Sequence, residues 1–418
     1  MLKIFQDKSE LIDTILVQQN FSFEALQKVE EIVSFVRDYG DAALIEYTQK
    51  FDHIILDDIK VDPSSKELEN NILKDAVSRA SKNIRVFHQK QMPKLFHHRQ
   101  DDGTEVTLNW RPIKKVGIYV PGGNYPLLST LLMNVIPAQV AGVNQIIVCT
   151  PPQTDKNIDP NILSVCQNLG IKDIFKVGGA QAIAAMAYGT ETIPKVNKIV
   201  GPGNRYVAVA KQFVSNHVGI DMVAGPTELI IIVDESSNPE LVAADLISQA
   251  EHDSNAITLL LSTEKNIIEK TQNEIYRLLK SLNRTSTATE SLSNNGFAYL
   301  ANSIEECIKI SNHIAPEHLS IQTKNVETLQ DKCIAGAIFL GEETPVAWGD
   351  YWAGSNHTLP TAGAAHYRGL LNVIDFLVPY SVTKGSKNQK SIQAIITLAK
   401  AEGLIGHMLS ARLRGVDT

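Results

Sequence analysis

Two short stretches of the chain combine side chains that can bind a metal ion or move a proton. In the first, Gln249 and His252 lie three residues apart near the end of a predicted helix that Asn238 can cap, so both project from one face. An amide oxygen beside an imidazole offers two ligands to a divalent cation such as zinc. Two ligands do not hold a metal, so other segments must supply the rest. An ordinary solvated helix end is the simpler alternative.

The second stretch is APEHL (residues 315–319), where a predicted helix ends in a turn. It places the Glu317 carboxylate next to the His318 imidazole. Adjacent residues in a turn can face one pocket, and these two groups differ in their ordinary pKa values, so they could act as a pair of proton carriers. A surface Glu–His pair without a catalytic role is the alternative.

Other segments offer further ligands and binding groups. A glycine-containing loop holds Asp350, a natural anionic metal ligand, and His357. The C-terminal stretch contains Glu402 and His407, and the Thr227 hydroxyl precedes a predicted strand. One combination would form a metal site of nitrogen and oxygen ligands without thiolates: Gln249, His252, Asp350 and His407. The 11 histidines of the chain allow many other combinations.

Length and composition are those of an ordinary globular protein. The 418 residues suffice for two or three domains with their own cores, and 44% are hydrophobic. The net charge of −7 argues against a nucleic-acid-binding protein, which needs a basic surface. The start lacks a signal-peptide pattern, no apolar run is long enough to cross a bilayer, and none of the four cysteines is in CxxC spacing. The sequence therefore predicts a cytoplasmic protein without membrane segment, disulfide framework or thiolate zinc site.

Strand-like and helical stretches alternate from residue 114 onward, which is typical of the α/β class. One alternating series runs from residue 116 to 217 and another from 228 to 340, so we predict two doubly wound, Rossmann-like parallel sheets. The predicted domains are an N-terminal arm (1–20), a discontinuous α/β domain (21–115 and 228–380), a second α/β domain inserted in it (116–227) and a helical C-terminal tail (381–418). Residues 381–390 form a predicted polar linker, followed by a helix over Ser391–Arg414.

Glycine-bearing turns follow several strands of the inserted domain, at residues 121–124, 178–181 and 201–205. Glycines between a strand and a helix let backbone N–H groups approach a phosphate at the positive end of the helix. The last turn is not a GxGxxG motif, because Tyr206 stands where the third glycine would fall. A tight turn without a ligand is the alternative for any one of them. Because carboxyl ends of parallel strands share one edge, the set favours a nucleotide or a similar anion.

Six motifs in order closely resemble histidinol dehydrogenase: VGIYVPGG (116–123), VGPGNRYV (200–207), AGPTELIIIVDE (224–235), SQAEHD (248–253), APEHL (315–319) and GDYWAGSNHTLPT (349–361). The resemblance extends from about Val29 to the tail. The chain departs from what is common in that family at Thr227, Val346, His366 and Tyr367, of which none is an expected metal ligand.

The resemblance implies oxidation of L-histidinol to L-histidine through L-histidinal, at the end of histidine biosynthesis, by a homodimer that uses zinc and NAD. It places NAD on the inserted domain, and metal and substrate on the discontinuous one. It implies these site residues: Gln249, His252, Asp350 and His407 for zinc; Glu317 and His318 for acid/base catalysis; Tyr119, Gln181 and Asn204 for NAD; and Thr227, Gln249, His252, His318, Asp350, His357, Glu402 and His407 for the substrate. His407 and Glu402 are expected to come from the partner subunit.

Oxidation of an alcohol to an acid removes four electrons and each NAD accepts two, so two hydride transfers share one site. We predict that His318 takes the hydroxyl proton and that Glu317 activates the water that hydrates the aldehyde. Zinc is expected to orient the substrate rather than to generate hydroxide. A cysteine thiohemiacetal route would use Cys149, although free cysteines are more often buried core residues. Two other functions stay open: a zinc hydrolase with Glu317 as its base, and a non-catalytic metal- or nucleotide-binding protein.

Overall fold

The computed structural model describes residues 2–18, 23–62, 70–122, 126–282 and 285–415, and these divide into two compact units. The first unit comprises Met1–Gln91 and Ile113–Phe376, and the second Met92–Pro112 and Leu377–Thr418. The strands are β1 (Lys3–Phe5), β2 (Lys60–Val61), β3 (Phe96–Arg99), β4 (Glu105–Pro112), β5 (Lys115–Tyr119), β6 (Gln145–Thr150), β7 (Asp173–Lys176), β8 (Lys198–Val200), β9 (Gly219–Ile220), β10 (Glu228–Val233), β11 (Ile257–Ser262), β12 (Gly296–Leu300), β13 (His318–Gln322), β14 (Ala337–Leu340) and β15 (Leu377–Lys384). The helices are α1 (Lys8–Gln18), α2 (Phe23–Asp52), α3 (Asn71–Gln89), α4 (Leu128–Ala141), α5 (Pro160–Asn168), α6 (Gly179–Tyr188), α7 (Arg205–Val214), α8 (Pro239–Ala250), α9 (Lys265–Ser281), α10 (Ser286–Asn295), α11 (Ile304–Ile314), α12 (Gln389–Ala401) and α13 (Ile405–Gly415).

A six-stranded parallel sheet in the first unit has the order β1-β12-β11-β10-β13-β14. Every residue of its central strand β10 is buried. Successive side chains of a strand point to opposite faces. Leu229 and Ile231 therefore pack against residues of α8, α9 and α10, whereas Ile230 and Ile232 pack against α1 and α11. Helices on both faces explain why the strand reads as a continuous apolar run.

The other sheet of the first unit has the order β2-β7-β6-β5-β8-β9 and is parallel except for β2. Helices α2, α6 and α7 bury their apolar residues in one cluster with side chains of this sheet, among them Ile147, Phe175 and Ile199. Helix α2 bends at Gly40, whose φ of 54° is in the left-handed region. The predicted glycine turns at 178–181 and 201–205 follow the carboxyl ends of β7 and β8, and the predicted turn at 121–124 lies partly outside the described residues.

The predicted α/β fold with two Rossmann-like sheets is confirmed. The first predicted series agrees with β5 to α7 to within a few residues, and the second has the outer bounds of β10 to β14. Strand β1 was not predicted, because a three-residue edge strand carries little periodicity of its own. Helical spacing also predicts a helix over residues 66–88, and the first part of that range lies outside the described residues. The predicted domain boundaries stay a prediction.

The second unit consists of a three-stranded antiparallel sheet, in the order β15-β4-β3, and the helices α12 and α13. The predicted linker at 381–390 is wrong in its first part, because β15 pairs with β4 along its whole length. The predicted tail helix is two helices, separated at Gly403 with φ 74°. No helix among the described residues is long and apolar enough to cross a lipid bilayer.

Candidate active site

Helix α8 places Gln249 in its last turn. The helix begins as predicted, with the Asn238 side chain accepting the N–H of Glu240 at 3.0 Å and Pro239 at the first position. It ends at Ala250, so Gln249 is buried at 2% exposure while His252 follows the helix end and is exposed. The last turn of α8 therefore presents the Gln249 amide to the interior, and the exposed His252 imidazole lies beyond the helix end.

A chain of hydrogen bonds joins Gln249 to the predicted proton carriers. The Nε2 atom of Gln249 donates to the Thr227 hydroxyl, which in turn donates to Oε2 of Glu317. An amide nitrogen can only donate, so the Thr227 hydroxyl accepts from Gln249 and its own hydrogen goes to the carboxylate. The hydrogen bond to Thr227 uses the amide nitrogen of Gln249, so its Oε1 atom stays available to bind a metal ion.

The Glu317–His318 pair lies at the amino end of β13. Helix α11 ends at Ile314, Ala315 adopts the left-handed conformation with φ 48°, and His318 is the first residue of the strand. Both side chains are buried, and their closest atoms, Oε2 and Nδ1, are 3.6 Å apart. The predicted turn thus exists but continues at once into a strand.

His318 is held in one orientation by the backbone of β10. Its Nδ1 atom lies 3.1 Å from the carbonyl oxygen of Glu228, which can only accept, so Nδ1 carries the proton. Its Nε2 atom is buried and has no hydrogen-bond partner among the described residues. Burial lowers the pKa of His318, although the Asp350 charge and the Glu228 carbonyl oppose this. The neutral imidazole therefore offers Nε2 as a free base.

Glu317 has the opposite electrostatic tendency. Burial raises its pKa to about 7, and the hydrogen bonds from Thr227 and from the Glu228 N–H act against that rise. The negative charge of Asp350 raises the pKa of Glu317 further, while His252 lowers it. A carboxyl group that titrates near neutral pH can both accept and return a proton.

Asp350 and His357 lie in the loop after β14, as predicted. Asp350 belongs to a π-helical turn at Trp348–Trp352, and its Oδ1 atom is 3.6 Å from Nδ1 of His357. Burial raises the pKa of Asp350 and lowers that of His357 to about 4. The imidazoles of His318 and His252 oppose the rise at Asp350, so all four groups belong to one electrostatic cluster.

The same loop is fastened to its surroundings by buried polar residues. Asn356 donates to the Met133 carbonyl at 2.6 Å, and the Thr361 hydroxyl accepts the Gly225 N–H at 2.6 Å. Val346, one of the departures from the family pattern, packs into the core beside α8. These contacts hold the loop rigidly beside the Thr227 segment.

The predicted NAD contacts Tyr119, Gln181 and Asn204 line one cavity of about 1220 Å³, at the carboxyl ends of β5, β7 and β8. Gly179 donates its N–H to the Tyr119 hydroxyl at 3.0 Å, and burial raises the pKa of Tyr119 to about 12. Asn204 caps α7 by accepting the N–H groups of residues 206 and 207.

Helix α2 supplies part of the cavity wall that the sequence did not indicate. Lys28, Lys50 and Asp52 line the same cavity as the glycine turns. The sequence of α2 shows only the apolar spacing of a packing helix, so no local signal marked these residues. These residues are far from the glycine turns along the chain, and the packing of α2 against the sheet brings them to the same cavity.

Cys149 does not have the environment of a nucleophile. It is fully buried within β6, and burial raises the pKa of its thiol above the ordinary value. Its side chain packs in the core cluster with α6. The interpretation as a buried core residue is confirmed, and no thiolate is available there for a thiohemiacetal route.

Glu402 and His407 lie on the second unit. Glu402 caps the end of α12, and His407 lies in the first turn of α13; both are exposed. Their predicted roles stay a prediction.

Gln249, His252 and Asp350 together fit a divalent cation. An amide oxygen, an imidazole nitrogen and a carboxylate are ligands that zinc accepts, and the Oε1 atom of Gln249 is available for that purpose. A cation would also offset the burial that raises the pKa of Asp350. No group of three or more His, Cys, Asp or Glu side chains in the described part of the chain forms a metal site by itself. This is compatible with a site that uses an amide ligand and a histidine from elsewhere.

A family model described as histidinol dehydrogenase matches residues 17–415. The chain belongs to the histidinol dehydrogenase family. The curated histidinol dehydrogenase of Clostridium acetobutylicum is 44% identical over 94% of this chain and 92% of its own length. That of Bacillus cereus is 42% identical over 98% of both chains. The crystal structure of histidinol dehydrogenase from Elizabethkingia anophelis has a TM-score of 0.91, with 40% identity over 99% of this chain and 97% of that one.

Membership of the histidinol dehydrogenase family makes this chain an oxidoreductase that acts on histidinol in histidine biosynthesis. The predicted family and the predicted enzyme class are both confirmed. Sequence reasoning did not single out Glu228, which contacts both Glu317 and His318. Asp245 is buried on the same face of α8 as Gln249 and accepts a hydrogen bond from Gln322 at 2.8 Å.

Proposed function

We propose that the chain binds zinc and NAD and converts L-histidinol to L-histidine through L-histidinal, by two successive hydride transfers at one site. The observation that carries this proposal is the hydrogen-bonded chain Gln249–Thr227–Glu317, with His318 next to it. It places a candidate metal ligand and two proton carriers with opposite pKa tendencies in one buried cluster. A cytoplasmic location accords with such a biosynthetic enzyme.

His318 acts as the general base of the alcohol oxidation. Its Nε2 atom is the unprotonated nitrogen, because Nδ1 donates to the Glu228 carbonyl. The lowered pKa keeps the ring neutral at neutral pH, so Nε2 can take the hydroxyl proton as the hydride leaves the carbon. In the second oxidation the same atom takes a proton from the hydrated aldehyde.

Glu317 activates the water that hydrates L-histidinal between the two oxidations. Its carboxylate is held by the Thr227 hydroxyl and the Glu228 N–H, both on Oε2. That arrangement leaves Oε1 for a water molecule. With a pKa of about 7, Glu317 is a strong enough base to take a proton and a strong enough acid to give it up.

The zinc-binding residues of this proposal are Gln249, His252, Asp350 and His407, with His407 contributed by a second copy of the chain. When bound, zinc would orient the substrate through its amine and imidazole nitrogens. Thr227, His357 and, from the second copy, Glu402 complete the substrate pocket. The role of this chain is to present rigid ligands: the Gln249 amide is fixed by Thr227, and the Asp350 loop is fastened through Asn356 and Thr361.

NAD binds in the cavity at the carboxyl ends of β5, β7 and β8. Its volume of about 1220 Å³ is large enough for a cofactor, since ligand pockets usually measure roughly 300–1,000 Å³. The N-terminus of α7 lies on its wall, where an anionic group can bind. Tyr119, Gln181 and Asn204 are the proposed contacts. When bound, NAD would supply the hydride acceptor.

A homodimer is supported by the surface of the second unit. Helix α13 buries none of its residues, and β3 is exposed along its whole length. Large apolar side chains are more than half exposed there: Leu95, Phe96, Leu398, Ile405 and Leu413. Several large apolar side chains exposed on one small unit of a folded chain favour an interface. The second copy that covers it would bring His407 and Glu402 to the site.

The test is turnover on a preparation of known metal content. Purified protein should release NADH from histidinol, and a chelator should abolish the reaction until zinc is restored. Equilibrium dialysis should show about one zinc per chain, reduced in the His252→Asn variant. A preparation that binds zinc and hydrolyses esters or amides without an absorbance rise at 340 nm would instead be a zinc hydrolase. A protein whose Glu317→Gln and His318→Asn variants match the wild type in every property would be a non-catalytic binding protein.

A further inference from the structure

Glu228, the first residue of β10, contacts both members of the proton-carrying pair through its backbone. Its N–H donates to Oε2 of Glu317 at 3.1 Å, and its carbonyl oxygen accepts from Nδ1 of His318 at 3.1 Å. The residue itself is buried at 1% exposure. One peptide segment therefore determines both where the Glu317 carboxylate lies and which tautomer of His318 is present.

The Glu228 side chain holds the same region from the other direction. Its Oε2 atom accepts the backbone N–H of Glu317 at 3.2 Å, so Glu228 and Glu317 each bind the other's N–H with a carboxylate oxygen. Its Oε1 atom accepts the N–H of Ala362 at 3.1 Å. A buried carboxylate that receives backbone N–H groups on both oxygens is a rigid connection, because charge-assisted hydrogen bonds are stronger than neutral ones.

The backbone segments that Glu228 joins are in uncommon conformations. Ala315, two residues before Glu317, has φ 48°, and Ala362 has φ 54°. Non-glycine residues adopt such values only where the surroundings impose them. Both conformations need a hydrogen-bond acceptor beside the backbone. The Glu228 carboxylate is that acceptor for the turn that ends at Glu317 and for the segment that begins at Ala362.

The ladder of the sheet explains why a side chain is needed. The pairing of β10 with β13 begins at Leu229 and His318, so Glu317 lies one residue outside it. The Glu317 N–H points to β10 and is taken up by the Glu228 carboxylate instead of a backbone carbonyl. A side chain thus extends the ladder by one residue, to the residue that carries the proposed chemistry.

We propose that Glu228 is a positioning residue: its buried carboxylate holds the backbone of Glu317 and Ala362 so that Glu317 and His318 face the substrate together. The proposal rests on the proposed function of this pair. Glu228 is not a catalytic residue, because it acts through the backbone of other residues. Since it supports both proton carriers, its loss slows both oxidations.

The decisive variant is Glu228→Gln, which keeps the size of the side chain. A glutamine has one oxygen, so either Glu317 or Ala362 loses its acceptor and faces an NH₂ group instead. We expect kcat to fall roughly 10- to 100-fold for histidinol and for histidinal alike, as found when the support of an active-site group is removed. KM for both substrates and the zinc content should change less than about twofold, because the Glu228 carboxylate holds the backbone N–H groups of Glu317 and Ala362.

The conservative variant and a matched control complete the experiment. Glu228→Asp keeps the charge but is one methylene shorter, so its kcat should lie between those of the wild type and Glu228→Gln. Glu235→Gln is the control: it changes a Glu to Gln just beyond the other end of β10, where Glu235 is exposed and paired with Lys324 at 2.7 Å. Its kcat, KM and zinc content should equal those of the wild type.

Each outcome has a defined meaning. Wild-type kcat in Glu228→Gln, or in Glu228→Asp where the glutamine variant does not fold, overturns the positioning role and leaves the proposed function in place. Loss of zinc in proportion to activity, or a rise in KM that matches the fall in kcat/KM, also overturns it, because Glu228 would then have only a general structural role. A wild-type enzyme that releases no NADH from histidinol overturns the proposed function and the positioning role with it.

Discussion

At the scale of single residues, burial determines the chemistry of the two proton carriers in opposite directions. It raises the pKa of Glu317 and lowers that of His318, since each charged form loses solvation. The result is a neutral imidazole beside a carboxyl group that titrates near neutral pH. Two adjacent residues can therefore divide the work of removing a substrate proton and activating water.

Substitution of the two residues should separate these roles. His318→Asn should slow the oxidation of both histidinol and histidinal, because the Nε2 base serves both steps. Glu317→Gln should mainly slow histidinal oxidation and let histidinal accumulate, with a loss of roughly 10²–10⁴-fold, the usual contribution of a general base. Single-turnover assays with each substrate measure the two steps. A Glu317→Gln variant that slows only the alcohol step would show that the roles are reversed.

The pH dependence of histidinal oxidation should depend on Glu317. With its pKa raised to about 7 by burial, the carboxyl group is protonated below that pH and cannot activate water. The rate should therefore fall as the pH is lowered through about 7, and the fall should be absent in the residual activity of Glu317→Gln. A profile of kcat against pH for both proteins checks this, and an acidic limb of equal position in both would contradict it.

The same shift has a consequence for stability. The folded chain holds the Glu317 proton up to a higher pH than the unfolded chain, whose carboxyl titrates near 4.5. The contribution of this group to stability is therefore present at low pH and is lost as the pH rises through about 7. Glu317→Gln should remove that dependence, which urea unfolding at pH 5 and pH 8 can detect.

At the scale of elements, the two sheets present their sites at opposite ends of their strands. The candidate NAD cavity lies at the carboxyl ends of β5, β7 and β8, where ligands of doubly wound sheets usually bind. The Glu317–His318 cluster lies instead at the amino ends of β10 and β13, beside the last turn of α8. Because α8 runs antiparallel to the strands, its last turn brings Gln249 to the same end, and His252 follows just beyond the helix.

The glycine turn after β8 is held by a buried ion pair. Lys211 of α7 pairs with Asp221 and also donates to the Gly201 carbonyl at 3.0 Å, while Asp221 accepts the Gly201 N–H at 2.8 Å. Gly201 has φ 115°, and a Cβ there would lie 2.1 Å from the Tyr119 carbonyl oxygen. Only glycine fits this position, and the ion pair holds both of its backbone groups.

Lys211→Met should destabilise the protein strongly. It leaves Asp221 as a buried carboxylate without its ammonium partner, which costs about 3–5 kcal/mol in comparable buried pairs. Thermal and urea unfolding measure the loss. Lys324→Met is the matched control, because Lys324 forms an exposed pair with Glu235 and should change stability little. Equal stability of the two variants would show that the buried pair contributes no more than a surface pair.

At the scale of the whole molecule, the second unit leaves many of its large apolar side chains exposed. Among its described residues α13 is unburied, and β15 is buried only at Leu377. An assembly that covers this surface would remove apolar area from water, which is the main driving force of association. The proposed homodimer is thus linked to the proposed role of His407.

Mixed dimers test whether the site is shared. Neither His407→Asn nor His252→Asn homodimers should have activity, because every site lacks one ligand. In a dimer with one copy of each, one of the two sites has both an intact His252 and an intact His407, so activity should return on mixing. The NADH release of reassociated mixtures measures this, with each variant alone as its control. No recovery in dimers shown to be mixed would contradict the shared site.

The sequence by itself determined the elements and the residue types. The alternation of apolar strand-like runs with helical stretches identified the two α/β series, because a buried strand is apolar on both faces, and the motif order identified the family. The tertiary structure determined which of these residues come into contact. The Gln249–Thr227–Glu317 chain, the contacts of Glu228 and the cavity wall from α2 join residues tens to hundreds of positions apart. Such contacts depend on the packing of helices and sheets, which no local periodicity encodes.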